Sequence, residues 1–238
     1  MEKSFFKNYQ VSYFNWQGRK YKMDLKNTYL KLCSNLDFNK EKFVFIALHY
    51  QPEETSSPSA GHYVDQSLIV ASLSEVLPSD VSIVVKEHSS QFHSNMEGHT
   101  GRTKQFYDDL VKIPRVKLVP HYHTSFDYID NSVAVVTATG TMGWEAVVRE
   151  KPVLIFGNAW YQYCDNVFRI YSKADLKFAM SKILSGDIKS ADYYNYARAI
   201  YKNSILAYHY KGYDKKSRIE KTDCVINLVN SIDQFLNY

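Results

Sequence analysis

Five runs of apolar residues, spaced along the chain, predict five buried β-strands. They lie at residues 43–50, 81–85, 116–119, 133–138 and 153–156, with the sequences FVFIALHY, VSIVV, VKLV, VAVVTA and VLIF. Unbroken apolar runs are typical of strands that are covered on both faces, as in parallel sheets. The pattern therefore predicts a parallel sheet in the interior of the protein.

Helical patterns separate these runs. The predicted helices span residues 63–77, 101–113, 125–131, 142–151, 173–184, 191–208 and 219–236. Pro78, Pro114 and Pro152 follow three of them, and proline commonly lies just past a helix end. The alternation of strand and helix predicts an α/β fold, a Rossmann-like parallel sheet with right-handed crossovers and helices on both faces.

The chain is divided unevenly by this pattern. The first 42 residues are polar and aromatic, with a weak helical pattern at 26–36, and we interpret them as a lead-in segment. Residues 43–185 are predicted to form the Rossmann-like domain. Residues 186–238 are predicted to be carboxy-terminal helices that pack on it.

Composition excludes some classes of protein. The hydrophobic content of 45% suffices for a core, and the net charge of +4 is spread along the chain, so nucleic acid is not an expected partner. Cys33, Cys164 and Cys224 are far apart, which predicts neither disulfides nor a zinc site and fits the cytoplasm. No signal peptide or long apolar run is present, so we expect no spanning helix.

One basic run bears on location. Lys211, Lys215, Lys216 and Arg218 lie between the last two predicted helices. A solvated loop is the ordinary interpretation of such a run. The alternative is peripheral contact with an anionic membrane, at the inner face of the cell membrane.

The connection after the fourth strand carries the most specific chemistry. In α/β sheets, ligands bind at the carboxyl ends of the strands. Thr139 and Thr141 supply hydroxyl donors, while Gly140 and Gly143 permit close backbone approach to a phosphate. Glu145, one turn into the helix, can accept hydrogen bonds from ribose hydroxyls. The alternative is that Thr141 only caps the helix and Glu145 only stabilises its first turn.

The first two strands also end in polar loops. Gln51 and Glu53 follow the first strand, and Lys86, His88 and Ser89 follow the second. Glu53 is a candidate for acid–base catalysis, Lys86 for neutralising a phosphate, and His88 for either task. The alternatives are a solvated loop carboxylate and a structural histidine.

Aromatic residues and histidines complete the candidate set. Trp160 lies in a glycine turn after the fifth strand, where it can stack on a base or sugar or cover the edge of the sheet. His93 and His99 match no metal-ligand spacing, so we expect no metal site.

Taken together, three segments resemble a known family. They are HYQPEETSSPSAG at 49–61, KEHSSQF at 86–92 and VTATGTMGWEAVVREKPVLIFGNAWY at 136–161. The pattern resembles the capsule polysaccharide biosynthesis glycosyltransferases, a group that includes bacterial Kdo transferases and has the GT-B fold. The resemblance covers residues 43–168.

The resemblance implies a glycosyltransferase of bacterial capsule or lipopolysaccharide synthesis. This region would be the carboxy-terminal, donor-binding half, holding a nucleotide sugar, with CMP-Kdo as one candidate. The segments would contribute Gln51, Lys86, Ser89 and the turn at 139–145 to donor binding, with Glu53 and His88 as catalytic groups and no metal or other cofactor. The acceptor would be a saccharide or a lipid-linked saccharide.

The chain is short for a complete GT-B enzyme. Only 42 residues precede Phe43, too few for an amino-terminal Rossmann-like domain. Three interpretations follow: the chain is a carboxy-terminal fragment, a partner domain or homo-oligomer supplies the other half, or the protein is not a complete enzyme. The alternative function is a non-catalytic scaffold or binding module of a polysaccharide-synthesis complex. A nucleotide-sugar epimerase of the same architecture is a third interpretation.

Overall fold

The computed structural model describes residues 2–52, 56–208 and 219–237, with side chains from Trp16 onward. Its strands are β1 (Lys42–Ala47), β2 (Val81–Lys86), β3 (Val116–Val119), β4 (Ala134–Thr137), β5 (Val153–Ile155) and β6 (Val167–Arg169). All pair in parallel in one sheet of order β3-β2-β1-β4-β5-β6. The predicted Rossmann-like α/β fold is confirmed.

Helices connect the strands. They are α1 (Glu2–Leu32), α2 (Ser56–Ser59), α3 (Ser67–Val76), α4 (Lys104–Leu110), α5 (Ser125–Asn131), α6 (Met142–Val148), α7 (Lys173–Ser185), α8 (Tyr193–Lys202) and α9 (Lys221–Leu236). Short 3-10 helices span Gly61–Val64, Ser89–Phe92 and Gly98–Thr100. Within the described residues, no helix has both the length and the apolar character needed to cross a bilayer.

Both faces of the sheet are covered. Val44 and Ile46 of β1 belong to a buried cluster that includes side chains of α1, α3, α4 and α7. Phe45 points to the opposite face, where its ring stacks on Tyr128 of α5 at 5.3 Å. Successive side chains of a strand alternate between faces, so a strand buried on both sides is apolar at every position. This is the physical reason for the unbroken apolar runs.

The first helix is longer than predicted and contributes to the core. It ends at Leu32, and its residues Leu25 and Tyr29 are fully buried. Beyond it, the Ser34 amide donates to the Leu118 carbonyl at 2.7 Å, and Cys33 forms a parallel bridge with Leu118. The segment before β1 therefore covers the β3 edge of the sheet.

Other differences from the predicted elements are local. The sixth strand was not predicted, and β1 ends at Ala47 rather than at residue 50. The helix predicted at 101–113 begins at Lys104, where the Thr103 side chain caps it by accepting the Phe106 amide at 3.2 Å. The helix predicted at 191–208 is α8, capped by Asp192 through the Asn195 amide at 3.1 Å.

The chain divides into two compact units, residues 1–191 and 192–238. The first contains the whole sheet. The second contains α8 and α9, where the Asn227 side chain donates to the Leu206 carbonyl at 2.8 Å. The basic run at 211–218 lies outside the described residues, so its membrane contact stays a prediction, as do the predicted domain boundaries.

Candidate functional site

A cleft of about 390 Å³ opens at the carboxyl edge of the sheet, between the ends of β1 and β4. β1 and β4 are neighbours in the sheet, but the chain continues from β1 to β2 in one direction and from β4 to β5 in the other. Because crossovers are right-handed, these two connections lie on opposite faces of the sheet. Such a switch point is where α/β sheets bind ligands. The cleft is lined by Ala47, Leu48, His49, Tyr50, His88, Ser90, Met96, Thr137, Thr139, Gly140, Thr141, Met142 and Glu145.

His49 holds the two sides of the cleft together. It follows β1, and its Nε2 accepts the backbone amide of Thr139 at 3.2 Å. The Thr137 hydroxyl lies 3.1 Å from the same nitrogen and accepts the Gly140 amide at 3.2 Å. Because Nε2 accepts an N–H, the neutral ring carries its proton on Nδ1. The turn after β4 is thus fixed by a side chain from β1.

The main-chain donors of this turn are divided between two uses. The amides of Thr139 and Gly140 are bonded within the protein, to His49 and Thr137. The amides of Thr141 and Met142 have no acceptor in the described part of the chain. An anion in the cleft would therefore meet the later amides of the turn.

The hydroxyls of Thr139 and Thr141 do not act as simple helix caps. Thr141 is the N-cap residue of α6, yet its side chain makes no capping hydrogen bond and is exposed on the cleft. Thr139 is buried, and its hydroxyl has no partner among the described residues. A buried hydroxyl without a partner costs about 1–3 kcal/mol, and a ligand oxygen would satisfy it.

Two further side chains, His88 and Glu145, add ionisable groups to the cleft. His88 is exposed on the wall contributed by β2, and its Nδ1 accepts the Ser90 amide at 3.2 Å, which leaves Nε2 as the protonated nitrogen of the neutral ring. Its ring lies edge-on to Tyr50 at 6.3 Å. Glu145 is half-buried on the α6 side. Among its described lining residues, the cleft thus offers hydroxyls, amides and two histidines beside one carboxylate.

A buried ion pair supports the β1 and β2 ends of the cleft. The Arg102 Nε donates to the Glu87 carboxylate at 3.0 Å, and the Tyr107 hydroxyl donates to the same oxygen at 2.7 Å. Arg102 also donates to the His49 carbonyl at 3.1 Å. Burial, with the adjacent Glu87 carboxylate, raises the pKa of Tyr107 well above its ordinary value, so the phenol stays protonated. This network fixes the backbone of His49 through its carbonyl.

Helix α1 fixes the outer loop of the site. The Lys22 ammonium donates to the carbonyls of His93 at 2.9 Å and Ser94 at 3.1 Å, and also to that of Met96. Met96 lines the cleft. Burial lowers the pKa of Lys22. A helix interpreted as a lead-in segment therefore supports one wall of the site.

Several predicted site residues lie close to the cleft without lining it. Gln51 is buried and donates to the Ser56 hydroxyl at 2.9 Å, while Gln91 binds its backbone on both sides. Lys86 donates to the Ser125 hydroxyl at 3.0 Å, and burial lowers its pKa. These contacts are structural, and their predicted part in donor binding stays a prediction.

Ser89, Gly143 and Trp160 also fall outside the lining. Ser89 is exposed in the 3-10 helix after His88. Gly143 is buried in α6, where a Cβ would lie 2.7 Å from the Tyr161 ring carbon Cζ. The lack of a side chain at Gly143 therefore leaves room for the ring of Tyr161. The Tyr161 hydroxyl donates to the Gly140 carbonyl. Trp160 packs against Trp144 at 4.7 Å.

Of the predicted binding residues, the structure brings Thr139, Gly140, Thr141 and Glu145 together with His88. Glu53 lies outside the described residues, so its catalytic role stays a prediction. Sequence reasoning missed His49 and Thr137, because both were counted as ordinary strand residues. The available signal was a histidine and a threonine at the carboxyl ends of neighbouring apolar runs, where side chains leave the sheet.

Comparison with known proteins gives a family. The model of the capsule polysaccharide biosynthesis protein family matches residues 9–164, which include every residue of the cleft. A search of curated proteins found no match.

Solved structures match over part of the chain. The beta-Kdo 2,7-transferase KpsC of Thermosulfurimonas dismutans is 17% identical with a TM-score of 0.41, and the match covers 68% of this chain and 51% of that one. The Methanocaldococcus jannaschii UDP-GlcNAc 2-epimerase, solved with UDP-GlcNAc and UDP, is 14% identical with a TM-score of 0.43, over 71% and 45%. The S. aureus MnaA–UDP structure is 14% identical with a TM-score of 0.40, over 62% and 38%. The chain thus spans about half or less of each.

Proposed function

Because this chain belongs to the capsule polysaccharide biosynthesis protein family, we propose that its cleft between β1 and β4 binds a nucleotide-activated sugar for glycosyl transfer. The observation that carries the proposal is the position of the cleft at the switch point of the sheet, where nucleotides bind in this architecture. The chain would be the donor-binding half of the transferase, and CMP-Kdo is one candidate donor.

The cleft supplies groups suited to a diphosphate or monophosphate ester. The amides of Thr141 and Met142 and the hydroxyls of Thr139 and Thr141 are donors for phosphate oxygens. His88 adds a ring N–H at the opposite wall. Hydrogen-bond donors that are fixed before the ligand arrives stabilise charge without reorganisation.

Glu145 and His88 have separate roles in this proposal. The Glu145 carboxylate would accept hydrogen bonds from ribose hydroxyls, since it is the acidic group among the described residues of the cleft lining. His88, opposite it, would donate to the leaving phosphate as the glycosidic bond breaks, and a group on the acceptor-binding half would take the proton of the acceptor hydroxyl. The acceptor would be a saccharide or a lipid-linked saccharide.

A nucleotide panel tests the proposal first. Thermal unfolding would be measured with CMP, UDP, GDP and their sugar conjugates, and a ligand at 100 times its Kd stabilises the folded state by about 2.7 kcal/mol. Selective stabilisation by one base identifies the donor class. If no nucleotide changes the unfolding temperature, this chain does not bind the donor by itself and the proposed site is wrong.

The Thr139→Val variant separates binding from stability. Valine keeps the shape of threonine but removes the hydroxyl that has no partner, so the unliganded protein should be as stable as the wild type or more so. Nucleotide affinity should fall about tenfold, which corresponds to ~1.4 kcal/mol. Thr28→Val, whose hydroxyl bonds only the Asp24 carbonyl on α1, is the matched control and should leave affinity unchanged.

Transfer itself requires a second assay. The chain would be mixed with labelled donor and saccharide acceptors, alone and with candidate partner proteins, and the labelled product would be measured. Product that is lost in His88→Gln supports the assigned acid. Nucleotide binding without transfer under every condition would instead favour the non-catalytic binding module.

A further inference from the structure

A second cleft of about 530 Å³ lies apart from the first and shares none of its residues. One wall is the segment between α1 and β1, with Asn35 and Phe38. The other is formed by His123, at the end of the connection from β3, and by Asp127 and Tyr128 of α5. Its volume is within the range of about 300–1,000 Å³ that is usual for small-molecule sites.

The walls of this second cleft are fixed by packing. Tyr128 is buried and stacks on Phe45 of β1, and Phe38 packs edge-on against Tyr128 at 5.5 Å. The segment before Phe38 is held to the sheet by the Ser34 amide, which donates to the Leu118 carbonyl. The cleft therefore exists before any ligand binds, which limits the ordering that binding would require.

A hydrogen-bonded pair orients the polar chemistry. The Tyr128 hydroxyl lies 2.8 Å from the His123 Nδ1. Either the hydroxyl or Nδ1 is the donor in this bond, depending on the tautomer of the imidazole. Burial raises the pKa of Tyr128 to about 12, so the phenol is protonated at neutral pH. The lining thus combines the His123 ring, the Asp127 carboxylate as acceptor, and the Asn35 amide, which is both donor and acceptor.

The charge of the lining selects against ions. None of the described residues that line the second cleft is lysine or arginine, so an anionic ligand would have no opposite charge there. Asp127 is exposed and is the one acidic group among those lining residues. A single exposed carboxylate is a weak site for a cation but a good acceptor for hydroxyl groups.

We propose that this second cleft binds a neutral saccharide, with one apolar face of the sugar ring against Phe38 and its hydroxyls bonded to Asn35, His123 and Asp127. Sugars present an apolar C–H face and a rim of paired donors and acceptors, which is the combination that the lining offers. A glycan held here would raise the effective concentration of its chain near the first cleft. That advantage rests on the proposed transferase function, whereas the binding does not.

The test uses the full chain and defined sugars. Saturation-transfer NMR and calorimetry would be run with methyl α-D-glucopyranoside, N-acetylglucosamine and maltotriose, with glucose 6-phosphate and glucosamine as charged comparisons. At least one neutral sugar should bind and be preferred over the charged comparisons. Binding by none of the neutral sugars, or tighter binding of glucose 6-phosphate, would overturn the proposal.

Matched variants place the sugar in the second cleft. Asn35→Ala and Asp127→Ala change exposed side chains and should each weaken sugar binding at least tenfold. Asn39→Ala in the same loop and Asp80→Ala at a distant exposed turn should not. Equal affinity in all four variants would refute the site.

Competition separates this inference from the first cleft. Saturating CMP, UDP or GDP should leave the sugar bound, and Thr139→Val should bind it as the wild type does. Displacement of the sugar by a nucleotide would assign it to the first cleft and overturn the second. Sugar binding in a protein that binds no nucleotide would support the second cleft while the proposed function fails.

Discussion

At the scale of single residues, the site depends on two buried side chains outside its lining, Arg102 and Glu87. Arg102 bonds both the Glu87 carboxylate and the His49 carbonyl, and His49 in turn accepts the Thr139 amide. The turn that faces the cleft is therefore connected to the buried Glu87 carboxylate through Arg102 and His49. Loss of one partner from such a pair leaves an uncompensated buried charge.

Arg102→Met should destabilise the fold by about 3–5 kcal/mol, because Glu87 is fully buried and would lose its cationic partner. The free energy of unfolding in urea measures the change. Arg149→Met removes a partly exposed pair with Asp130 and should cost at most about 1 kcal/mol. Equal effects of the two variants would contradict a special role for the buried pair.

His121 should make stability depend on pH. Burial, with Lys26 and Lys86 nearby, lowers its pKa to about 4, against an opposing effect of Glu87. The unfolded chain binds a proton on this ring near pH 6.5, so it holds more protons than the folded state between pH 6.5 and 4. The stabilisation is complete above pH 6.5 and is lost as the pH falls toward 4, by at most about 3 kcal/mol.

Urea unfolding of the wild type and His121→Leu across pH 4–7 measures this contribution. The variant should show a smaller loss of stability on acidification. His62→Leu, at an exposed histidine, should keep the wild-type pH dependence. Parallel curves for wild type and His121→Leu would show that His121 titrates normally in the folded protein.

At the scale of elements, the sequence predicted the strands whose apolar pattern results from continuous burial. The strands β1, β2, β4 and β5 were found because their runs are mostly apolar and buried. The run of β3, VKLV, is buried only in its last two residues. β6 has only three residues, VFR, and none is fully buried, so it lacks that signal. In the part of α1 whose side chains are described, residues 16–32, the buried side chains are Lys22, Leu25 and Tyr29, which is too few for a strong helical pattern in the sequence.

The sequence located the loops that form the site, but it did not reveal the contacts between them. The turn at 139–145 was located from its sequence, since strand ends and glycines are visible there. The clamp by His49 was not, because it depends on β1 and β4 lying side by side. The same holds for Gly143, whose neighbour Tyr161 is set by packing of the loop after β5 on α6.

Gly143→Ala should destabilise the protein although alanine favours helices by about 1 kcal/mol over glycine. The new methyl group would contact the buried Tyr161 ring, and overpacking of this kind costs about 1–3 kcal/mol. The shift of Tyr161 would also disturb its bond to Gly140. A fall in Tm is expected, with Val148→Ala on the exposed face of α6 as the control; an unchanged Tm would contradict the close packing.

At the scale of the whole molecule, both clefts belong to the first compact unit, residues 1–191. The first cleft and the second cleft are built from one sheet and its connections, so each can be tested with this chain alone. Transfer is assayed separately, with saccharide acceptors and candidate partner proteins.

The burial of Leu25 and Tyr29 has a practical consequence: the first helix should stay bound to the sheet even without a covalent link to it. Lys40 is highly exposed in the loop that follows the helix, so limited trypsin treatment should cut there. The two pieces should stay together through size-exclusion chromatography, because Tyr29 still bonds Val119 and Glu87. If the helix separates from the remainder, its packing is too weak to hold it. If it stays, the protein can be reassembled from two fragments, and binding of a labelled helix then reports whether the remainder is folded.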